Sequence, residues 1–253
     1  MNAPGWMTGR TDTMTAPLRI LLLDTETNGL PRNRYAPIAL AGNWPAILQL
    51  SWGVYELTPG SRTLIAGEKR DIGLALDASV AWDAGAAAIH GISEAEARRG
   101  TPAARALTEL AGVLRSVDVV IAHNLAFDKP IIRAAGYAEW DRAGRSTPEL
   151  RDVWPPVGTI QEFCTMEATR NLLCLPMPSA PTGTRYKAPR LNELYTWLYG
   201  HVYDMSGAVL HTAASDTHCL EQCVKGLLRR GILVTNAGAS GISVSASAAC
   251  ESP

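Results

Sequence analysis

A short apolar run that ends in two carboxylates constrains this chain more than any other feature. Residues 19–23 read RILLL and predict a buried strand that ends at Asp24. Because successive side chains of a strand point to opposite faces, Asp24 and Glu26 project to the same face. Two neighbouring carboxylates beside a core repel each other unless a cation compensates. The pair fits either a site for Mg²⁺ or Mn²⁺, which prefer oxygen ligands, or a strand that simply ends in polar residues.

A third carboxylate follows a second apolar run. Residues 117–122 read VDVVIA and predict another strand, and Asp128 comes shortly after it. Carboxylates that follow neighbouring strands of an open α/β sheet can converge on one crevice, where ligands of such sheets usually bind. The alternative for Asp128 is an ordinary aspartate in the first turn of a helix, where the helix dipole stabilises it.

A histidine and a fourth carboxylate lie at the start of the last predicted helix. If Asp216 joins the same site, His211 lies just outside it and can reach a water held by a metal. The ordinary imidazole pKa of about 6.5 suits a general base near neutral pH. Taken alone, His211 is equally a capping or surface residue. Four acids and a histidine, each at a strand end or a helix start, make one shared site the better interpretation.

The order of the predicted elements indicates an α/β fold, with a mixed sheet and helices packed on both faces. The chain of 253 residues is long enough for one sizeable domain. The predicted strands are residues 19–23, 47–57, 63–72, 117–122 and 157–163, and the predicted helices are residues 84–89, 93–99, 128–135, 165–173, 191–199 and 213–229. A further helix is expected to start at Thr101 as cap and Pro102 as first residue. Residues 142–156 predict a loop.

The two ends of the chain differ in composition from the middle. Residues 1–17 predict a flexible leader, residues 18–234 one domain, and residues 235–253, rich in Ala, Ser and Gly, a disordered tail. No apolar run is long enough to span a membrane, and the N-terminus lacks the apolar middle of a signal peptide.

The five cysteines are irregularly spaced, so we expect reduced thiols and a cytoplasmic protein. Cys219 and Cys223 predict a buried helix face.

The charge balance gives no overall attraction to nucleic acid. The chain has 23 basic and 24 acidic residues, a net charge of −1. A nucleic-acid enzyme of this composition has to hold its substrate locally, through metals and a few basic side chains. Two clusters are candidates, and each is also explained as a solvated face: Arg185, Lys187 and Arg190, and then Lys225, Arg229 and Arg230.

Three motifs together resemble the signatures of the DEDDh (DnaQ-like) family of 3′→5′ exonucleases. They read DTETNG at 24–29, AHNLAFD at 122–128 and HTAASD at 211–216. Thr212 departs mildly from the usual third motif and leaves the acidic residues untouched. The resemblance covers residues 18–234, which it identifies as an exonuclease domain. Within the family the chain is most similar to the proofreading epsilon subunits of bacterial DNA polymerase III, with weaker matches at 89–92 and 164–166.

The resemblance implies an RNase H-like fold with a five-stranded mixed sheet flanked by helices on both faces. It also implies two divalent cations, Mg²⁺ or Mn²⁺, with Asp24 bridging both. Glu26 and Asp216 would hold the cation that carries the attacking water, and Asp128 would support the other. His211 would take the proton from that water, and the products would be nucleoside 5′-monophosphates. All five residues are therefore expected to be catalytic.

The same resemblance implies a set of residues that contact the terminal nucleotide. The expected substrate-binding residues are Thr27, Leu30, Asn124, Phe127 and His90. Stacking of bases on apolar side chains tolerates any sequence, which suits an exonuclease. Core packing is the alternative for Leu30 and Phe127.

The expected substrate is the 3′ end of DNA, single-stranded or frayed. The motifs do not distinguish DNA from RNA, so an exoribonuclease of the same family fits them as well. Two further functions fit the residues: a non-catalytic, polymerase-associated nucleic-acid-binding module, and a metal phosphohydrolase acting on small nucleotides. A DNA polymerase subunit is a candidate partner, and a stand-alone enzyme fits the residues equally well. No membrane partner is expected.

Overall fold

A five-stranded sheet in the order β3-β2-β1-β4-β5 organises the computed structural model, which describes residues 16–177, 186–203, 211–236 and 241–245. The strands are β1 (Leu18–Thr27), β2 (Ile47–Leu57), β3 (Ile65–Gly73), β4 (Val119–Ala122) and β5 (Gln161–Cys164). β1, β2 and β3 are antiparallel neighbours, while β4 runs parallel to both β1 and β5. The sheet is therefore mixed and five-stranded, as predicted.

Helices cover both faces of this sheet. They are α1 (Ala84–His90), α2 (Glu94–Arg98), α3 (Ala103–Leu114), α4 (Leu125–Arg142), α5 (Pro148–Arg151), α6 (Thr165–Leu173), α7 (Leu191–Tyr199) and α8 (Ala213–Arg229). Side chains of β1 alternate between two cores: Leu21 and Leu23 pack with α3, α4 and α5, whereas Ile20 and Leu22 pack with α6, α7 and α8. Burial on both faces explains why β1 reads as a continuous apolar run.

Several predicted elements need correction at their ends. α4 begins at Leu125, three residues before the predicted start, and extends to Arg142, so that Asp128 lies in its first turn. α5 lies inside the predicted loop 142–156. Thr101 does not cap α3, because its backbone pairs with the chain beyond β3, donating to Gly73 O and accepting from Ala75 N. The bounds of α6, α7 and α8 are those predicted.

A small hairpin corrects the prediction of a disordered tail. β6 (Leu233–Thr235) pairs antiparallel with β7 (Ile242–Val244), so residues 242–244 are a strand. Ile242 is buried, and its backbone N–H and C=O both hydrogen-bond the side-chain amide of Gln161. The Ala/Ser/Gly-rich composition of this segment predicts disorder, although the contacts of Ile242 hold it against β5. The remainder of the predicted tail and nearly all of the leader lie outside the described residues.

The cysteine predictions hold in part. Cys219 and Cys223 are buried in the core beneath α8, as predicted, and these two and Cys164 are free thiols. Cys174 is disulfide-bonded, so the expectation of uniformly reduced cysteines does not hold for it. Among the described helices, none is long and apolar enough to cross a bilayer.

Candidate metal centre

Three carboxylates meet where the end of β1 faces the start of α8. Asp24 and Glu26 come from β1 and Asp216 from the first turn of α8, and one oxygen of each lies within 4.8 Å of the others. Strand alternation places the first two on one face, as expected. Tertiary packing of α8 brings the third, which lies 190 residues further along the chain than Glu26 (216 − 26).

The start of α8 is defined by a reciprocal cap. Thr212 Oγ1 accepts a hydrogen bond from Ser215 N at 3.1 Å, and Ser215 Oγ accepts one from Thr212 N at 3.1 Å. This cap begins the helix so that Asp216 lies in its first turn. Ala213 N also donates to Gln49 Oε1 at 3.0 Å, and Gln49 pairs with Glu26 across β1 and β2. Thr212, the residue that departs from the usual motif, is therefore the helix cap.

Asp128 lies beside this cluster and is held by a separate contact. Its carboxylate is 2% exposed and accepts a hydrogen bond from Thr25 Oγ1 at 2.8 Å. It is not one of the three residues whose oxygens approach within 4.8 Å. Its charge nevertheless raises the pKa of Asp24 and of Glu26. The structure thus brings all four predicted acids into one electrostatic unit.

Burial and mutual repulsion dominate the protonation of these acids. Burial raises the pKa of Asp24 well above its ordinary value, and the charges of the other three acids raise it further. Burial, Asp216 and Asp128 raise the pKa of Glu26 from 4.5 to about 8. Burial raises the pKa of Asp128 to about 7, against the hydrogen bond from Thr25. Burial also raises the pKa of Asp216, which His211 opposes.

The described part of the chain supplies no lysine or arginine that forms an ion pair with any of these four acids. The donor set of the cluster is purely carboxylate oxygen, which suits hard divalent cations such as Mg²⁺ and Mn²⁺. A cation placed among these oxygens would offset the cost of burying their charges and the repulsion that further raises the pKa values of Asp24 and Glu26. The residues present therefore fit a divalent metal.

His211 lies at the edge of the cluster. Its Nδ1 is 3.7 Å from Asp216 Oδ2, and its side chain is about half exposed. Its backbone adopts a left-handed conformation with φ of 54°, directly before the cap of α8. This is the place expected of a group outside the metal ligands but within reach of a water beside them.

The predicted substrate-binding residues have different environments. Thr27 is buried and donates to Gly29 O at 2.7 Å, which shapes the turn after β1. Leu30 is 79% exposed, so core packing does not explain it. Asn124 takes the left-handed conformation directly before α4. Phe127 packs against the core on the α3–α4 side, which matches the packing alternative.

His90 is the remaining predicted substrate residue, and it is buried at the end of α1. Its Nδ1 accepts a hydrogen bond from Ile92 N at 3.0 Å, while its Nε2 has no hydrogen-bond partner among the described residues. Burial lowers the pKa of His90. With Gln49 and Thr212, His90 lines a cavity of about 260 Å³ beside the start of α8.

Of the five described residues in the predicted basic clusters, the two lysines form ion pairs and the three arginines do not. Lys187 Nζ pairs with Glu193, and Lys225 Nζ lies 2.7 Å from Glu221. Arg190 precedes α7, and its backbone N–H donates to Glu193. Arg185 lies outside the described residues.

Two polar residues that support the site have no place in the predicted set. Thr25 holds Asp128, and Gln49 holds the first residue of α8. Thr25 lies inside the first motif, between Asp24 and Glu26, and Gln49 interrupts the apolar start of β2, so both positions carry a usable signal in the sequence.

Comparison with known proteins identifies solved structures of similar fold. No family model and no curated protein sequence matches the chain. Solved structures of exonuclease I match the fold of the chain. The E. coli enzyme in its zinc-bound form with single-stranded DNA matches with a TM-score of 0.59, 18% identity, 84% of this chain and 41% of that chain. Its complex with a 5cy-dA13 oligonucleotide matches with a TM-score of 0.55 and 18% identity, over 83% of this chain and 40% of that chain.

A product-bound exonuclease I structure matches with a TM-score of 0.57 and 17% identity, over 83% of this chain and 43% of that chain. The chain therefore spans about two fifths of the length of the exonuclease I structures it matches. At this level of identity the likeness concerns the fold, and it confirms the predicted RNase H-like fold.

Proposed function

We propose that this chain is a metal-dependent 3′→5′ exonuclease that hydrolyses phosphodiester bonds from the 3′ end of DNA and releases nucleoside 5′-monophosphates. One observation carries the proposal: the oxygens of Asp24, Glu26 and Asp216 lie within 4.8 Å of one another with no lysine or arginine of the described chain paired to them, on the fold shared with exonuclease I.

The physical reason is the charge of the substrate. A phosphodiester is anionic and resists attack by hydroxide, and a bound divalent cation offsets that charge and acidifies a water. Asp24, Glu26 and Asp216 would hold one cation, and Asp128 would support a second. The carboxylates would stay ionised once a cation is bound, because the nearby positive charge offsets the burial and the repulsion that raise their pKa values.

His211 would act as the general base. Its ring is about half exposed and lies 3.7 Å from Asp216, so it can take a proton from a water beside the cluster and release it to solvent. Asp216 would orient the imidazole. Thr27, Leu30, Asn124, Phe127 and His90 would contact the terminal nucleotide. Of these, Leu30 is the most accessible and is suited to contact a base.

Single-stranded DNA is the proposed polymer, because the exonuclease I structures of matching fold are complexes with single-stranded DNA and dA or dT oligonucleotides. An RNA-directed exonuclease is the second candidate, since the described residues do not discriminate a 2′-hydroxyl. The closer kinship to polymerase proofreading subunits, and a polymerase partner, are further proposals that rest on the sequence motifs alone.

The test is a nuclease assay with matched variants. Wild-type protein, Asp24→Asn and Glu149→Gln would be incubated with 5′-labelled single-stranded DNA and RNA of one sequence, with Mg²⁺, Mn²⁺ or EDTA. Glu149 is an exposed acid outside the cluster and serves as the control. We expect a metal-dependent ladder that shortens from the 3′ end of DNA with the wild type and Glu149→Gln, and none with Asp24→Asn. Intact polymer in every lane would overturn the proposal.

A further inference from the structure

Three polar contacts, here named the α8–β2 ladder, join one face of α8 to β2 at successive helical turns. Ala213 N donates to Gln49 Oε1 at 3.0 Å, Thr217 Oγ1 donates to Ser51 O at 3.4 Å, and Tyr55 Oη donates to Glu221 Oε2 at 2.9 Å. On the helix the three residues recur at every fourth position, so they share one face. α8 is thus registered along β2 by repeated contacts.

The spacing of the ladder is regular because of Gly53. Four helical residues rise about 6 Å and two strand residues about 6.6 Å, so contacts at 49, 51 and 53 would match 213, 217 and 221. Tyr55 reaches the level of residue 53 by laying its ring over Gly53. A Cβ at that position would lie 2.7 Å from the ring and 2.8 Å from the hydroxyl. Gly53 therefore allows the Tyr55 hydroxyl to form the third contact.

The third contact is also the charged one. Glu221 is 3% exposed, and the ammonium groups of Lys69 and Lys225 each lie 2.7 Å from its carboxylate. Burial opposes ionisation, but hydrogen bonds from Lys225, Lys69 and Tyr55 lower the pKa of Glu221 to about 2. Because Lys69 comes from β3, this contact ties α8 to two strands.

The first two contacts lie at the level of the candidate metal ligands. In the register of β1 and β2, Ser51 faces Asp24 and Gln49 faces Glu26. Asp216 sits on α8 between Ala213 and Thr217. A shift of α8 along β2 would therefore move the Asp216 carboxylate relative to the two β1 carboxylates. When these groups are ionised and no cation is bound, their mutual repulsion favours such a shift.

We propose that Glu221 is a positioning residue for the metal centre. Its buried pairing with Lys69, Lys225 and Tyr55 holds α8 in register with β2, so that Asp216 stays beside Asp24 and Glu26 against their repulsion. The inference rests on the proposed function, in which Asp216 is a metal ligand. Glu221 itself touches neither metal nor substrate.

The test measures Mn²⁺ affinity by calorimetric titration together with the thermal midpoint of each protein. The variants are Glu221→Gln and Tyr55→Phe, and the control is Val224→Ala. Val224 is a fully buried residue of α8 that contributes to the core and not to the ladder. Loss of a residue that orients a metal ligand weakens metal binding about 10- to 100-fold. We expect roughly tenfold weaker binding for Glu221→Gln, a smaller loss for Tyr55→Phe, and none for Val224→Ala.

Wild-type affinity in both ladder variants, measured where they are folded, would overturn the inference. Equal weakening by Val224→Ala at the same loss of thermal midpoint would also overturn it, because the effect would then follow stability alone. If Glu221→Gln does not fold, Tyr55→Phe decides. Absence of Mn²⁺ binding by the wild type would instead refute the proposed metal centre, which separates the two failures.

Discussion

α8 contributes a buried or partly buried carboxylate to each of two sites with opposite electrostatics. Glu221 is enclosed by two lysines and a tyrosine hydroxyl, and its pKa is lowered to about 2. Asp216, five residues earlier, joins acids whose pKa values are raised. Two lysines pair with Glu221, whereas Asp216 has the half-exposed His211 beside it and, as we propose, binds a divalent cation. Glu221 therefore stabilises the fold. The clustered acids, which we propose bind a cation, lower the stability of the metal-free protein.

The largest expected effect comes from neutralising an acid of the metal centre. Asp24→Asn should reduce exonuclease activity by on the order of 10³-fold or more, because the cation loses a ligand. It should leave the metal-free protein at least as stable as the wild type, because a neutral amide replaces a carboxyl group whose ionisation is opposed by burial and by the neighbouring acids. Single-turnover rates and thermal midpoints test both statements, with Glu149→Gln as control. A clearly lower thermal midpoint of metal-free Asp24→Asn would show that the clustered acids do not destabilise the metal-free protein.

The opposite behaviour is expected at Glu221. Glu221→Ala removes a buried carboxylate from two partly exposed lysines, which water can then solvate in part, and should lower the free energy of unfolding by about 2–3 kcal/mol. Urea denaturation of the metal-free protein measures it. Val224→Ala, which removes apolar contacts from the same helix, is the matched control for packing loss. A change below about 1 kcal/mol would mean that the ion pairs contribute little and that the two sites do not differ as described.

The pH dependence of stability should separate the two sites further. The pKa of Glu26 is raised to about 8 and that of Asp128 to about 7, so both groups are more easily protonated in the folded chain than in the unfolded chain. Their stabilising contribution is complete below their ordinary values and is lost as pH rises towards 8.

The thermal midpoint of the metal-free protein should therefore fall, by on the order of 5 °C, between pH 5 and pH 8. Glu221 adds little to this slope, because over most of that range the carboxylate is ionised both in the folded chain, where its pKa is about 2, and in the unfolded chain. Scanning calorimetry at several pH values, with and without Mn²⁺, tests the expectation. A midpoint that rises over this range in the absence of metal would contradict it.

The smallest expected effect concerns the cap of α8. Thr212→Ala removes the oxygen that accepts from Ser215 N and should cost about 1 kcal/mol of stability. Thr212→Ser keeps that oxygen and serves as the control. Because the first turn carries Asp216, fraying should also weaken Mn²⁺ binding in Thr212→Ala. Unchanged stability and unchanged Mn²⁺ affinity would show that the helix start is held by different contacts.

The sequence predicts the acidic cluster much better than it predicts the surroundings of Glu221. Asp24 and Glu26 are placed by strand periodicity, and the motifs single out Asp128, His211 and Asp216, so the candidate centre is largely predictable. Glu221 has one partner that the sequence can indicate, Lys225 four residues later on the same helix, but Tyr55 lies 166 residues away and Lys69 152 residues away. Pairing of this kind depends on the sheet order, which periodicity does not specify.

Errors in the predicted fold have the same physical origin. β7 escapes prediction because a single buried residue, Ile242, anchors a segment of disordered composition. Thr-Pro is a common helix start and predicts a cap at Thr101, whereas the backbone of Thr101 pairs with Gly73 and Ala75 instead. In both cases a tertiary contact outweighs a local propensity.

A crystal structure grown with Mn²⁺ and analysed by anomalous difference maps at the manganese edge would test the proposed metal centre most directly. We expect a peak enclosed by the carboxylates of Asp24, Glu26 and Asp216, at roughly 2.0–2.3 Å from their oxygens, with no metal at Glu221. A map without a peak at these three carboxylates, or with a lysine or arginine of the chain paired to them, would contradict it.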